Sequence, residues 1–143
     1  MISDLLVDTC VAIWLLEGRT LSRKGTIALN ESVDLQRSVV LSPVVAWEFG
    51  MLEARRRLAL RFDALSAYRV LSTLPATRTI DLTPEILVAS TQLPGSPHGD
   101  PFDRIVMATA RLEGLTVLTS DRKILAYADA GYIAAIPCSP IRS

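Results

Sequence analysis

The sequence is short of cysteine, lysine and histidine, and it has no long apolar run. Its two cysteines, Cys10 and Cys138, show no CxxC spacing, which excludes a disulfide framework and a zinc site. No apolar stretch approaches the ~20 residues that cross a bilayer, and the amino terminus lacks the basic segment of a signal peptide. We therefore expect a cytoplasmic protein with reduced cysteines and no membrane contact.

Neither sign of charge is in excess. The 15 basic and 15 acidic residues give a formal net charge of 0 at pH 7. This balance argues against broad electrostatic wrapping of nucleic acid, but it leaves open separate acidic and basic faces. The basic residues are nearly all arginines, whose planar guanidinium groups suit phosphate, and Lys24 and Lys123 are the only lysines.

Apolar residues make up 50% of the 143 positions, which is enough for one hydrophobic core and predicts a single domain over 1–143. Short apolar runs, typical of strands buried on both faces, alternate with segments of helical periodicity. We predict an α/β fold of three layers (α/β/α) around a central, mainly parallel sheet. The predicted strands are 5–7, 39–42, 79–80, 115–119 and 133–137, and the predicted helices are 11–17, 22–34, 43–57, 63–74, 84–92, 100–113 and a short one after Asp121.

Acidic residues follow several of these strands. Asp8 comes directly after the first strand, and Asp121 lies just beyond the strand at 115–119. Asp103 falls in the first turn of a helix that follows a Pro/Gly-rich loop. Ligands of parallel α/β sheets bind beyond the carboxyl ends of the strands, so these acids are candidate site residues. Each aspartate also has a structural interpretation as a helix cap, with Asp100 and Asp103 forming a cap and an acid in the first turn.

Glu48 has no such structural interpretation, because it falls in the middle of a predicted helix. Carboxylates beside an apolar stripe are costly unless something compensates them. Two alternatives are open: an ion pair with an arginine, or a bound cation shared with Asp8, Asp103 and Asp121. Oxygen ligands of this kind suit Mg²⁺ or Mn²⁺ rather than zinc, and such ions support phosphoester hydrolysis. The apolar stripe predicted for this helix consists of Val44, Trp47, Met51, Ala54 and Leu58.

The order of these motifs resembles that of PIN-domain proteins. The resemblance covers nearly the whole chain and is strongest to the VapC-type toxins of type II toxin–antitoxin pairs. It therefore implies a PIN-like version of the α/β fold. Its most specific part is the DPFDR stretch at 100–104 with the IVMATA segment that follows it. The other motifs are Val7-Asp8-Thr9, the segment from Ser42 to Trp47-Glu48, His98-Gly99 before the DPFDR stretch, and Leu118-Thr119-Ser120-Asp121.

By this resemblance the family's acidic metal-binding and catalytic positions fall on Asp8, Glu48, Asp103 and Asp121. Thr119 matches a hydroxyl residue that supports the acids. Asp100 is either a helix cap or a group behind the metal ligands, and we favour the cap. His98 matches a loop histidine to which we assign a structural role. The chain departs from the family pattern at Val45, where a small polar residue is common, and at Leu52, where a lysine is frequent.

The resemblance implies an endoribonuclease that cuts RNA with Mg²⁺ or Mn²⁺ and leaves a 5′-phosphate and a 3′-hydroxyl. It also implies a homodimer and a cognate antitoxin whose carboxyl-terminal segment covers the cleft. Arg104, Arg122 and Arg55 are candidate RNA contacts, although each can also serve as a solvated or charge-balancing residue. The spacing of the few aromatic residues is typical of core positions, so we predict no platform for base stacking.

Two other functions are compatible with this sequence. A PIN-type domain without catalysis would bind RNA or a partner, but such domains usually lose one or more of the acids. An Asp-based phosphotransfer protein could share this type of sheet. A dehalogenase-type enzyme would need a second aspartate where Cys10 stands, and a receiver would need a lysine near Thr119-Ser120-Asp121.

Overall fold

The structure is a computed structural model and describes residues 3–97 and 99–141. Its sheet has five parallel strands in the order β3-β2-β1-β4-β5, so the two earliest strands and β4 form the centre. The predicted parallel three-layer fold is therefore confirmed. The strands are β1 (Leu5–Val7), β2 (Val39–Leu41), β3 (Thr77–Thr79), β4 (Thr116–Thr119) and β5 (Ala134–Pro137).

Seven helices flank this sheet within the described ranges. Local capping explains several of their ends. Pro101 occupies the first turn of its helix, and Gly114 ends that helix at φ +64°, a left-handed conformation that glycine adopts without strain. The helices are α1 (Thr9–Leu16), α2 (Arg23–Asp34), α3 (Pro43–Ala54), α4 (Ala64–Ser72), α5 (Pro84–Thr91), α6 (Pro101–Glu113) and α7 (Arg122–Asp129).

The predicted apolar stripe of α3 is only partly confirmed, because Val44 is buried but Trp47 and Ala54 are exposed. The buried residues of this helix are Val44, Val45 and Phe49, whereas the Trp47 side chain is 48% exposed. At about 100° per residue, Glu48 falls between Val44 and Val45 on the helix perimeter. Glu48 therefore lies on the face of α3 that packs against the rest of the fold.

Two predicted boundaries also shift. Helix α3 ends at Ala54 instead of residue 57, because Arg56 takes a left-handed φ of +55°. Strand β3 occupies Thr77–Thr79 instead of 79–80, and it hydrogen-bonds β2 from Val39 to Leu41. Neither shift moves a candidate site residue.

The parallel arrangement brings the carboxyl ends of β1, β2 and β4 to one edge of the sheet. Asp8 follows β1, Ser42 follows β2 and Asp121 lies two residues after β4. Helix α6 returns the chain to the start of β4, so its first turn, with Asp103, lies at the same edge. Among the described residues, no helix combines the length and the apolar character needed to span a bilayer.

Candidate active site

Asp8 stands at the base of the site, where β1 ends and α1 begins. It is only 6% exposed, and its Oδ1 accepts a hydrogen bond of 2.9 Å from the backbone N–H of Thr9. Its Oδ2 accepts a bond of 2.6 Å from the Thr119 hydroxyl and lies 3.7 Å from Cys10 Sγ. Burial raises the pKa of the Asp8 carboxyl, against the lowering effect of the bonds from Thr119 and Thr9.

Glu48 reaches the site from the middle of α3. Its Oε1 accepts a hydrogen bond of 2.6 Å from the hydroxyl of Thr9, the residue directly after Asp8. Burial raises the pKa of Glu48, and the charges of Asp8, Asp100 and Asp121 raise it further. Thr9, 4% exposed, thus holds two of the acids, one with its backbone and one with its side chain.

The sequence analysis assigned no role to Thr9, although this residue belongs to the Val7-Asp8-Thr9 motif. The available signal was a hydroxyl residue immediately after the acid that ends the first strand. That signal was incomplete, because the partner of the hydroxyl is 39 positions away in the sequence.

The pKa of Asp103 is strongly raised. Burial raises its pKa from 3.8 to about 7, and the charges of Asp121, Asp100, Asp8 and Glu48 contribute in that order. At moderate ionic strength, salt screens interactions between charges that are more than about 10 Å apart, so carboxyl groups that shift each other's pKa lie close together. The structure therefore brings these five acids, which we call the acidic cluster, to the same edge of the sheet.

Thr119 connects two members of the acidic cluster. Its hydroxyl donates to Asp8 Oδ2 and accepts a bond of 2.9 Å from the backbone N–H of Asp121. It is completely buried, so both bonds are shielded from water. Thr119 thus fixes the spacing between the ends of β1 and β4.

Capping and clustering are not exclusive interpretations of these aspartates. Asp121 Oδ1 accepts from the N–H groups of Lys123 and Ile124 at 2.8 and 3.2 Å, and so caps α7. Asp100 Oδ1 accepts from the N–H of Asp103 at 2.9 Å and caps α6. Asp8 caps α1. The caps hold these carboxylates at helix starts that all face one edge of the sheet.

Arginines do not neutralise the acidic cluster. Within residues 3–97 and 99–141 the only ion pair joins Arg78 to Asp4, away from the site. Arg104 donates instead to the backbone carbonyls of Ser90 and Pro97, at 2.9 and 2.8 Å, and so fastens the loop before α6. Among the described residues, the ion-pair alternative for Glu48 is therefore wrong.

The remaining candidates from the sequence fall into two groups. Arg122 and Arg55 are exposed, Arg122 at the start of α7 and Arg55 at the end of α3, and their contact with RNA stays a prediction. The same holds for Arg104, whose guanidinium is engaged with the loop. His98, to which the sequence analysis assigned a structural role, lies outside the described residues.

The acidic cluster is not a finished coordination shell. In the part of the chain that the structure describes, no group of three or more His, Cys, Asp or Glu side chains is placed to ligate one metal ion. The donor chemistry nevertheless fits Mg²⁺, which is bound through one or two carboxylates and keeps several water ligands. The residues present therefore suit a divalent cation by oxygen chemistry and by charge.

The expectation that every aromatic residue belongs to the core is wrong for Trp47, Phe62 and Tyr132, which are exposed. Trp47 and Phe102 pack together with ring centroids 4.3 Å apart and an interplanar angle of 54°. Trp47 is largely outside the core, because α3 turns Val44, Val45 and Phe49 inward instead.

Fold and site together define a parallel α/β domain with a carboxylate cluster at the carboxyl edge of its sheet. The PIN domain family model matches residues 5–130. The chain belongs to the PIN domain family, and the resemblance noted in the sequence is confirmed.

Individual relatives support this assignment. Ribonuclease VapC22 of Mycobacterium tuberculosis is 28% identical over 122 residues, which cover 85% of this chain and 90% of that protein. VapC20 of M. tuberculosis, described as a toxin that cleaves the sarcin–ricin loop, superposes with a TM-score of 0.61 at 19% identity, covering 94% of this chain and 100% of that chain. VapBC2 from Rickettsia felis, solved bound to a promoter DNA fragment, has a TM-score of 0.66 at 12% identity, covering 97% and 100%. The two structural similarities concern the fold.

Proposed function

We propose that this chain is a VapC-type ribonuclease toxin that hydrolyses RNA phosphodiester bonds with Mg²⁺ or Mn²⁺. The observation that carries the proposal is the charge conflict among carboxylates supplied by four different elements, where burial, and after it the neighbouring negative charges, raise the pKa of Asp103 to about 7. A divalent cation removes such a conflict, and carboxylate oxygens are suitable ligands for these two ions. The name of the relative VapC22 supports the same activity.

Asp8, Glu48, Asp103 and Asp121 are the residues that would hold the cation. When bound, a divalent cation lowers the pKa of a water molecule and stabilises the charge that develops on a phosphodiester. The chain's own contribution is orientation: Thr119 and Thr9 hold the carboxylates of Asp8 and Glu48 through hydrogen bonds of 2.6 Å. No side chain of the acidic cluster needs to act as a nucleophile.

Hydrolysis in this site would leave a 5′-phosphate and a 3′-hydroxyl. Water supplies the oxygen that is added to phosphorus, and the bond from phosphorus to the 3′-oxygen breaks. The 3′-oxygen leaves with a proton. Asp100, which caps α6 beside Asp103, adds negative charge behind the reacting groups.

The partners we propose are RNA, a cognate antitoxin and a second copy of this chain. Support for the antitoxin comes from relatives of known structure that are toxin–antitoxin complexes, including VapBC2. We propose that the chain acts in the cytoplasm, and that exposed Arg122 and Arg55, together with Arg104, contact the RNA backbone.

Cleavage of RNA by the purified chain with Mn²⁺, compared with Asp8→Asn, tests the proposal. Asp8 combines a site carboxylate with a helix cap, so the matched control is Asp63→Asn. Asp63 caps α4 through a bond of 2.8 Å to the Ser66 N–H and lies outside the acidic cluster. We expect Asp8→Asn to lose cleavage and Asp63→Asn to retain it. Equal cleavage by the wild type and Asp8→Asn would identify a contaminating nuclease and end the proposal.

A further inference from the structure

Trp47 is exposed, and its ring packs against Phe102, which is partly buried against the core. The Trp47 side chain is 48% exposed, although tryptophan is on average among the more buried residue types. The core on this side is already filled by the fully buried Phe49. The exposed ring therefore contributes little to the core and presents a free aromatic surface to solvent.

The position of the aromatic pair connects it with the acidic cluster. Trp47 directly precedes Glu48 on α3, and Phe102 directly precedes Asp103 on α6. Side chains of consecutive helical residues diverge by about 100°, so the rings stand beside the carboxylates and not on the opposite helix faces. The contact between the rings joins the same two helices that carry two of the acids.

We propose that Trp47, supported by Phe102, stacks on an unpaired base of the RNA that flanks the phosphodiester to be cut. This inference rests on the proposed ribonuclease function and names how the substrate is held. Unpaired RNA bases are commonly recognised by stacking on aromatic side chains. Phe102 is tilted by 54° against Trp47 and packs on one side of the indole, while 48% of Trp47 is left exposed.

The charges near Trp47 favour a contact with an RNA base by stacking over a contact with an RNA phosphate by a cation. The acidic cluster repels phosphate, and the chain has a formal net charge of 0. Arg104, the arginine nearest in sequence to Asp103, donates to the backbone carbonyls of Ser90 and Pro97. A ring that binds the base instead of the phosphate supplies affinity without any cation.

The first test compares Trp47→Leu with Trp47→Phe on an RNA fragment that contains a cleavage site mapped with the wild-type protein. Leucine keeps apolar surface without a π face, so we expect its KM to rise roughly 5- to 150-fold, with kcat within about twofold of the wild type. Phenylalanine retains a ring and should recover most of the loss. The ratio of the KM of Trp47→Leu to the KM of the wild type should not change with salt concentration, because stacking involves no counterion release.

The matched control is Tyr132→Leu. Tyr132 is also an exposed aromatic residue that stacks on a second ring, with its ring centroid 4.8 Å from that of the buried Tyr127. It precedes β5 and therefore lies at the opposite edge of the sheet. We expect its KM to equal that of the wild type. A Trp47→Leu variant with an unchanged KM would overturn the stacking proposal.

A second measurement is independent of cleavage. The chain has two tryptophans, so in a Trp14→Phe background all indole fluorescence comes from Trp47. We expect single-stranded oligo(A) to quench this fluorescence with saturation, and an abasic oligomer with the same phosphates to leave it unchanged. Equal quenching by both probes would show a backbone contact and refute stacking.

The two proposals fail in different ways. Cleavage that is lost in Asp8→Asn, together with no base-dependent quenching, would refute the stacking role and leave the ribonuclease proposal intact. Base-dependent quenching without any cleavage would support the stacking role and refute the ribonuclease proposal in favour of an RNA-binding domain.

Discussion

Replacing Asp103 with asparagine is expected to stabilise the metal-free protein at alkaline pH. The pKa of Asp103 is raised from 3.8 to about 7 by burial and by the surrounding acids, so the folded state holds the proton more tightly than the unfolded state. Between pH 3.8 and about pH 7 the Asp103 carboxyl is mostly ionised in the unfolded chain and mostly protonated in the folded chain. The free energy of unfolding therefore falls as pH rises through this range. Above about pH 7 the folded protein carries the full cost of the buried charge.

The size of this effect follows from the same pKa. Each pKa unit corresponds to about 1.4 kcal/mol, and solvent around the half-buried carboxyl screens a large part of the interaction. We expect Asp103→Asn to raise the free energy of unfolding by about 2 kcal/mol at about pH 8 and by less than half of that, about 0.8 kcal/mol, at about pH 5. For a chain of this length, that is a rise of about 6 °C in Tm.

The assay is urea and thermal unfolding in a chelator at the two pH values. The control is Asp63→Asn, because hydrogen bonding to Ser66 lowers the pKa of Asp63 and gives its contribution the opposite sign. That variant should show no gain at alkaline pH. A stability change of Asp103→Asn that is equal at both pH values, or a loss at alkaline pH, would refute the idea that burial and the neighbouring charges make the ionised Asp103 costly in the folded protein.

Two further variants probe the hydrogen bonds around the site. Thr119→Val removes the hydrogen bonds to Asp8 and Asp121, so we expect a loss of about 1–3 kcal/mol in stability. We also expect RNA cleavage to drop roughly 10- to 100-fold, as for groups that orient metal ligands. Unchanged cleavage would exclude a positioning role for Thr119. Arg104→Ala frees the carbonyls of Ser90 and Pro97, so we expect a loss of about 1–3 kcal/mol in urea unfolding and faster proteolysis of the loop before α6. If Arg104→Ala impaired only RNA binding, the contact with RNA would be its main role.

Strong local signals explain what the sequence analysis predicted well. Proline in the first helical turn and a glycine at the far end marked α6, and the structure confirms both ends of that helix. Short apolar runs predicted β1, β2 and β4, because a strand that is buried on both faces has a continuous run of apolar residues instead of alternating apolar and polar ones. These signals depend on neighbouring residues alone.

The buried face of α3 could not be predicted from the sequence pattern. This helix has apolar residues around most of its perimeter, including Val44, Val45 and Phe49 on one side and Trp47 and Met51 on the other. Periodicity identifies an apolar face only when the opposite face is polar. Packing against the sheet selected the side with Phe49, which turned Glu48 inward and left Trp47 exposed.

By itself the sequence determined the α/β class, the parallel strands and the two aspartates that follow them, Asp8 and Asp121, because backbone propensity and capping are local. Only the tertiary structure decided that Thr9 binds Glu48, that Thr119 joins Asp8 to Asp121, and that no arginine neutralises the acids within the described residues. The physical reason is distance along the chain. These contacts link residues up to 111 positions apart, and no periodic pattern encodes which side chains meet once the sheet has brought its strand ends together.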